Sequence, residues 1–197
     1  PFALILEGLV GGAVPGLLAA GLALALLTTG VLSFAHGAVG TAAAFLAWRL
    51  GRSVPLGPAG SALVALLAGA AATLPLAPLT RRLARDRHRL AILLTLGWGL
   101  ALEAALLVAF GARPKAFLHI FSEVRPVPLP GGGTIAAGDL ILLGIVLTVT
   151  AGTAAWLRGT RTGLALRAAG ANREAAATLG LPLGRLETGA WALSGGA

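Results

Sequence analysis

Apolar residues in this chain fall in long blocks rather than on a single face. Five blocks stand out, at residues 8–30, 31–48, 59–79, 90–110 and 140–157, and a sixth starts near Thr188. Periodicity of about 3.6 residues with a polar back face would predict amphipathic helices around a soluble core; uninterrupted blocks of this length predict spans. At about 1.5 Å of rise per residue, a block of about 21 residues makes a helix of roughly 32 Å, against a hydrocarbon core of about 30 Å. Every backbone N–H and C=O in hydrocarbon has to be paired within its own segment, so each block is predicted to be a helix. The alternation and aromatic girdles of a membrane β-barrel are missing.

Polar residues between the blocks set the orientation. Arg81, Arg82, Arg85, Arg87 and Arg89 follow the third block, and Arg158, Arg161, Arg167, Arg173 and Arg185 follow the fifth. The connections on the other side carry only Arg49, Arg52, Arg113, Lys115 and Arg125. Ten basic residues against five place the arginine-rich loops in the cytoplasm, because basic loops are retained there. The loop after the fourth block holds Pro114, Pro126, Pro128, Pro130 and Gly131-Gly132-Gly133, too broken to span and long enough to shape an external mouth.

Composition agrees and removes alternatives. Of 197 residues, 57% are hydrophobic and 11% charged, too few charges to clothe a soluble globule. The net charge of +8 could serve nucleic acid, but the basic residues sit between apolar blocks rather than on one polar face, so no nucleic acid is expected. Without cysteine there is no disulfide framework or thiolate chemistry. No basic run precedes the first block, so no cleavable signal peptide is expected. The chain also lacks Met and stops at Ser194-Gly195-Gly196-Ala197 inside an apolar stretch, so a piece of a longer chain is expected.

Several residues are out of place in apolar surroundings. Gly8, Gly12, Gly16 and Ala20 recur every fourth position, a spacing that lets helices approach closely and reads first as packing. Pro15, Pro75 and Pro78 are expected to kink their helices, with freed carbonyls taken up by neighbours. His36, in Leu32-Ser33-Phe34-Ala35-His36-Gly37, is costly in an apolar block unless it faces a cavity or a partner. Gly37 and Gly40 loosen the helix there, and in transporters such breaks expose helix ends to the solute. A bond from His36 to a neighbouring helix accounts for it equally well. Glu103, inside the fourth block, is expected to make a structural hydrogen bond, a proton relay being the alternative. His88 and His119 fall in loops on opposite sides, so no metal site is expected. No nucleophile elbow, metalloprotease motif or phosphate-binding loop is present, so any ATP hydrolysis belongs to another chain.

The stretch after the fifth block carries the most specific pattern. Residues 161–169 predict a short helix, and Asn172 is placed to cap a second one. Glu174 then sits in its first turn, where a negative charge suits the helix dipole, Gly180 takes the left-handed C′ position, and Pro182 stops it. Ala175, Ala176 and Leu179 offer a compact apolar surface for a cytoplasmic partner, or alternatively for the lipid interface.

Glu174-Ala175-Ala176 with Gly180 resembles the loop by which ABC importer permeases insert into a cleft on their ATPase. Arg161-Thr162-Gly163-Leu164-Ala165-Leu166-Arg167-Ala168 upstream and Gly180-Leu181 with Arg185 downstream are similar to the cytoplasmic loop of branched-chain amino acid permeases. Ser33-Phe34-Ala35-His36-Gly37 resembles the Asn-Phe-Ala-His-Gly-Glu signature of one of the two permeases in those systems. The resemblance covers nearly the whole chain. It implies an all-α, polytopic transmembrane helical bundle of the ABC importer permease type, forming a single domain over residues 1–197 with a coupling loop at 158–187.

It further implies a multi-pass protein of the bacterial inner membrane that binds no cofactor and is not itself an enzyme. Expected partners are two cytoplasmic ATPase subunits, a homologous permease, an external solute-binding protein and the lipid bilayer. Asn172, Glu174, Ala175, Ala176 and Gly180 would couple to the ATPase, and Ser33, Phe34, His36 and Gly37 would line the substrate path. Ser33 stands where the family has Asn and Ala38 where it has Glu, and the Arg-Pro usual after the third block is absent. The solute is therefore left open among branched-chain amino acids, amides, urea and simple sugars. An ion-coupled carrier, relying on Glu103 or His36, or an intramembrane enzyme would be the rival classes.

Overall fold

The computed structural model describes residues 2–54, 57–84, 88–112, 126–128 and 134–196. Among these residues the apolar blocks are largely helical: α1 (Phe2–Thr29), α2 (His36–Ser53), α3 (Pro58–Thr73), α4 (Leu76–Ala84), α5 (His88–Phe110) and α6 (Ala137–Gly159). The short helices α7 (Arg161–Ala171) and α8 (Arg173–Thr178) follow, and then α9 (Leu183–Gly196). Between α5 and α6 the two-residue strands β1 (Val127–Pro128) and β2 (Thr134–Ile135) pair antiparallel, Val127 opposite Ile135. Arg85, Arg87, Arg113, Lys115, His119, Arg125 and the Gly131–Gly133 run lie outside the described residues.

Four stretches are long and apolar enough to cross a membrane: Leu4–Thr29, Gly60–Leu83, Arg89–Phe110 and Ala137–Gly159. Their outer faces are mostly apolar, with Leu93, Leu100, Leu107 and Val108 of α5 all exposed and Glu103 the acid among them. Such a surface is at home in hydrocarbon and would be an aggregation liability in water.

Three elements depart from the expected blocks. The second does not begin at Val31: residues 31–35 are non-helical and α2 starts at His36. With 18 residues that include His36, Arg49 and Arg52, α2 is not among the four stretches. The third block is two helices, because Pro75 has no N–H to continue the ladder. The carbonyl of Ala72, released by that break, accepts a 3.0 Å hydrogen bond from Trp98 Nε1 on α5, so a neighbouring helix re-satisfies it as lipid requires. The sixth block starts at Leu183, ahead of Thr188. Pro15, by contrast, lies within a continuous α1.

The core joins α1, α2, α4 and α9 through Ala25, Ala35, Val39, Leu76, Ala77 and Trp191, with Leu94 and Trp98 of α5 packed against it. Close approach does not use the glycine row of α1. A Cβ at Gly8, Gly12 or Gly16 would meet nothing within 4 Å, so this row packs against no other part of the chain among the described residues. The tight positions are Gly69 against Gly195, Gly163 against Leu157 and Gly170 against the Leu27 carbonyl, where a Cβ would overlap backbone. Gly163 and Gly170 therefore let α7 fold back onto the ends of α6 and α1.

Candidate functional site

Two regions carry the chemistry, and helix α9 touches both. The first is the break between α1 and α2. Gly30, with φ of +71°, ends α1 in the left-handed conformation that glycine tolerates best, and its N–H still reaches the Leu26 carbonyl at 2.8 Å. Thr29 Oγ1 accepts from the Val31 N–H at 3.2 Å, and Thr95 Oγ1 on α5 accepts from the Phe34 N–H at 3.1 Å. Gly99 on α5 leaves room for the backbone of Phe34 and Ala35. The break is thus held open by specific hydrogen bonds.

His36 opens α2 and is buried, its Nε2 lying 2.8 Å from the carbonyl oxygen of Ser194 on α9. A carbonyl only accepts, so Nε2 carries the proton and donates. Nδ1 of His36 and Oγ of Ser33, both buried, have no hydrogen-bond partner among the described residues, and neither has Nε1 of Trp191. Phe34 is 54% exposed, and Gly37 is exposed with nothing within 4 Å of where a Cβ would stand. Of these four sequence neighbours, Phe34 and Gly37 face out, and Ser33 and His36 turn polar atoms inward. The bond to a neighbouring helix and the position at a break are both found at His36.

The second region lies at the arginine-rich end. Thr160 Oγ1 caps α7 by accepting from Gly163 N–H at 3.0 Å, and Asn172 Oδ1 caps α8 by accepting from Ala175 N–H at 2.9 Å. At the other end of α8, Leu181 N–H bonds the Ala176 carbonyl at 3.1 Å and Gly180 N–H the Ala177 carbonyl at 3.0 Å, with Gly180 at φ +75°. That pair of bonds is a Schellman motif. Glu174, Ala175, Thr178 and Leu179 face outward, Leu179 at 78% exposure. Ala176 does not belong to this surface: it is 2% exposed and packs into the chain, so the expectation that it contacts a partner is corrected.

Beneath α8 lies a group that the apolar setting of its neighbours hid. Glu187 on α9 is 4% exposed, and its two carboxylate oxygens are divided between two arginines. Arg81 Nε, near the end of α4, donates to Oε2 at 2.9 Å, and Arg173 Nη1, at the start of α8, donates to Oε1. Arg81 Nη2 also donates to the Gly184 carbonyl at 2.8 Å and to Thr188 Oγ1 at 3.3 Å. The two arginine-rich loops therefore meet at one end of the bundle. At the end of α5, Phe110 lies against Phe45 of α2 with ring centroids 4.8 Å apart and planes tilted by 45°, and Arg52 lies 5.1 Å over Trp48.

Glu187 was findable by the cost of a lone acid beside an apolar run, the argument that singled out Glu103. Glu103 itself is exposed and makes no hydrogen bond or ion pair among the described residues, which corrects the structural hydrogen bond expected of it.

A cleft of about 510 Å³ opens between α1, α3, α6 and α9, lined by Leu17, Leu24, Leu66, Val149 and Trp156 among others. Its lining is almost wholly apolar, which suits hydrocarbon and offers little to a zwitterion whose charges need partners.

Apolar spans, a polar break within the bundle and a capped helix pair at its arginine-rich end define a multi-pass helical membrane protein. Residues 4–197 match the family described as the branched-chain amino acid transport system permease component, and the chain belongs to that family. No curated protein matches the chain, and no solved structure does.

Proposed function

We propose that the chain is the membrane-spanning subunit of an ATP-driven importer of branched-chain amino acids or closely related small solutes in a bacterial inner membrane. The observation that carries this reading is α8, a capped and Schellman-terminated helix presenting Glu174, Ala175 and Leu179 outward at the arginine-rich end. Such a helix, set between α7 and α9, is a rigid knob suited to a cleft on a cytoplasmic ATPase. Leu179 would supply the apolar contact and Glu174 the rim charge. Two ATPase subunits, a homologous permease and an external binding protein complete the assembly.

The break at residues 31–35 supplies the path in this reading. Ser33 Oγ and His36 Nδ1 offer a hydroxyl and an acceptor, and Gly37 keeps the entry to α2 clear of side chain. A discontinuity at membrane depth is tolerated where it lines a cavity, and helix ends there serve polar solutes.

The test is uptake of radiolabelled leucine into vesicles reconstituted with the permeases, the ATPases and the binding protein. ATP-dependent accumulation that needs all components is expected. Accumulation driven by an ion gradient without the ATPases would replace this reading with an ion-coupled carrier.

A further inference from the structure

We infer that Arg173, through Glu187, is the residue that couples α8 to α9, so that a displacement of α8 is delivered to the Ser194–His36 contact at the break. This rests on the reading of α8 as the ATPase-docking helix.

The bonding around Glu187 is asymmetric. Arg81 clamps α9 to α4 with three acceptors, the Glu187 carboxylate, the Gly184 carbonyl and Thr188 Oγ1. From α8, Arg173 reaches α9 through the other oxygen of Glu187. Arg81 thus fixes a unit of α4 and α9, and Arg173 is the handle on it. A buried carboxylate shared by two guanidinium groups contributes little net stability compared with an apolar replacement, and its best-attested use is to fix register or to switch.

Helix α9 carries the displacement onward. Glu187, Ala190, Trp191 and Ser194 are its buried residues, at the spacing of one helical face. Along that face the Trp191 carbonyl accepts from Thr73 Oγ1 at 2.7 Å, and the Ser194 carbonyl accepts from His36 Nε2 at 2.8 Å. Seven residues at about 1.5 Å each set Ser194 roughly 10 Å along the axis from Glu187. A 14-residue helix is stiff enough to pass a tilt from Glu187 to Ser194, and the close fit of Gly195 against Gly69 and Thr73 leaves no slack in which that tilt would be absorbed.

The experiment uses the full complex in proteoliposomes with radiolabelled leucine and compares Arg173→Gln, Arg173→Lys and Glu187→Gln. Three quantities are read: ATPase retained on purification, ATP hydrolysed, and leucine moved per ATP. Arg173→Gln leaves the Arg81–Glu187 pair in place, so assembly and hydrolysis are expected to stay near wild type while leucine moved per ATP falls several-fold. Arg173→Lys, which keeps a point charge at Glu187, should recover most of that ratio. Glu187→Gln should lower the ratio at least as far as Arg173→Gln.

An unchanged ratio in Arg173→Gln overturns the inference, and so does a parallel loss of ATPase binding and hydrolysis, which would make Arg173 a docking or folding residue only. A wild-type complex that moves neither leucine nor isoleucine, valine or an amide with ATP would instead overturn the transport reading and the inference resting on it.

Discussion

His36 and Ser194, 158 positions apart in the chain, are joined by a 2.8 Å hydrogen bond from the imidazole Nε2 to the serine carbonyl, and Gly21 of α1 makes room for it. A Cβ at position 21 would stand 2.9 Å from both the nitrogen and the oxygen, inside their contact distance. Gly21→Ala is therefore expected to push the pair apart and to destabilise the protein by about 1–3 kcal/mol, the usual cost of overpacking or of losing a buried hydrogen bond. Gly12→Ala, where a Cβ meets nothing within 4 Å, should leave stability unchanged. Thermal unfolding of the detergent-solubilised protein compares the two; equal melting temperatures would mean that the Gly21 contact is not tight.

Gly37 sits one residue further along, exposed and unobstructed, with no positive φ to strain a side chain. Gly37→Leu should therefore fold and assemble normally. If the break lines the solute path, the added isobutyl group blocks it, and leucine uptake falls to background while the ATPases remain bound. Normal uptake by this variant would move the path elsewhere.

Topology can be read directly because the chain has no cysteine. Arg81 and Arg173 meet at Glu187, so Arg82→Cys and Glu174→Cys, both at exposed positions, should be shielded from an impermeant thiol reagent in intact cells. Val127→Cys, in the loop after α5, should be labelled. Labelling of position 82 or 174 from outside would invert the orientation.

Much of this architecture was legible in the pattern of residues. Block length gave the helices, since hydrocarbon leaves the backbone no other way to pair its groups. Asn172, Gly180 and Pro182 gave the ends of α8, because capping and left-handed backbone are local properties. What could not be read were pairings across the chain. Whether the cost of His36 is met by Ser194, or the freed carbonyl of Ala72 by Trp98, depends on which helices become neighbours. The start of α2 was misplaced because Val31 and Leu32 are as apolar as a helix needs, while the Gly30 turn and Thr95 decide otherwise. The inward face of α8 was hidden for the same reason, since Ala175 and Ala176 are identical in composition and differ only in what lies behind them.

That difference makes a contrast within α8. Ala176→Trp should destabilise the permease itself, by about 1–3 kcal/mol or more, because the site is 2% exposed and has no room for an indole. Limited proteolysis of the membrane-inserted variant should show faster cleavage near residues 170–185. Wild-type resistance at that site would mean that α8 is not packed as described.

Ala175→Trp tests the central claim most directly, because the position is exposed and the change leaves the permease fold alone. If α8 seats in a cleft on the ATPase, the bulky ring clashes there, and a loss of about 1–3 kcal/mol weakens docking by roughly tenfold or more. The measurement is co-purification of the ATPase with the variant permease, together with substrate-stimulated hydrolysis. The account predicts that the permease inserts at normal levels while ATPase recovery or stimulation drops. Undiminished recovery with normal stimulation would contradict it, and would leave α8 as a helix lying on the membrane surface, where tryptophan is favoured.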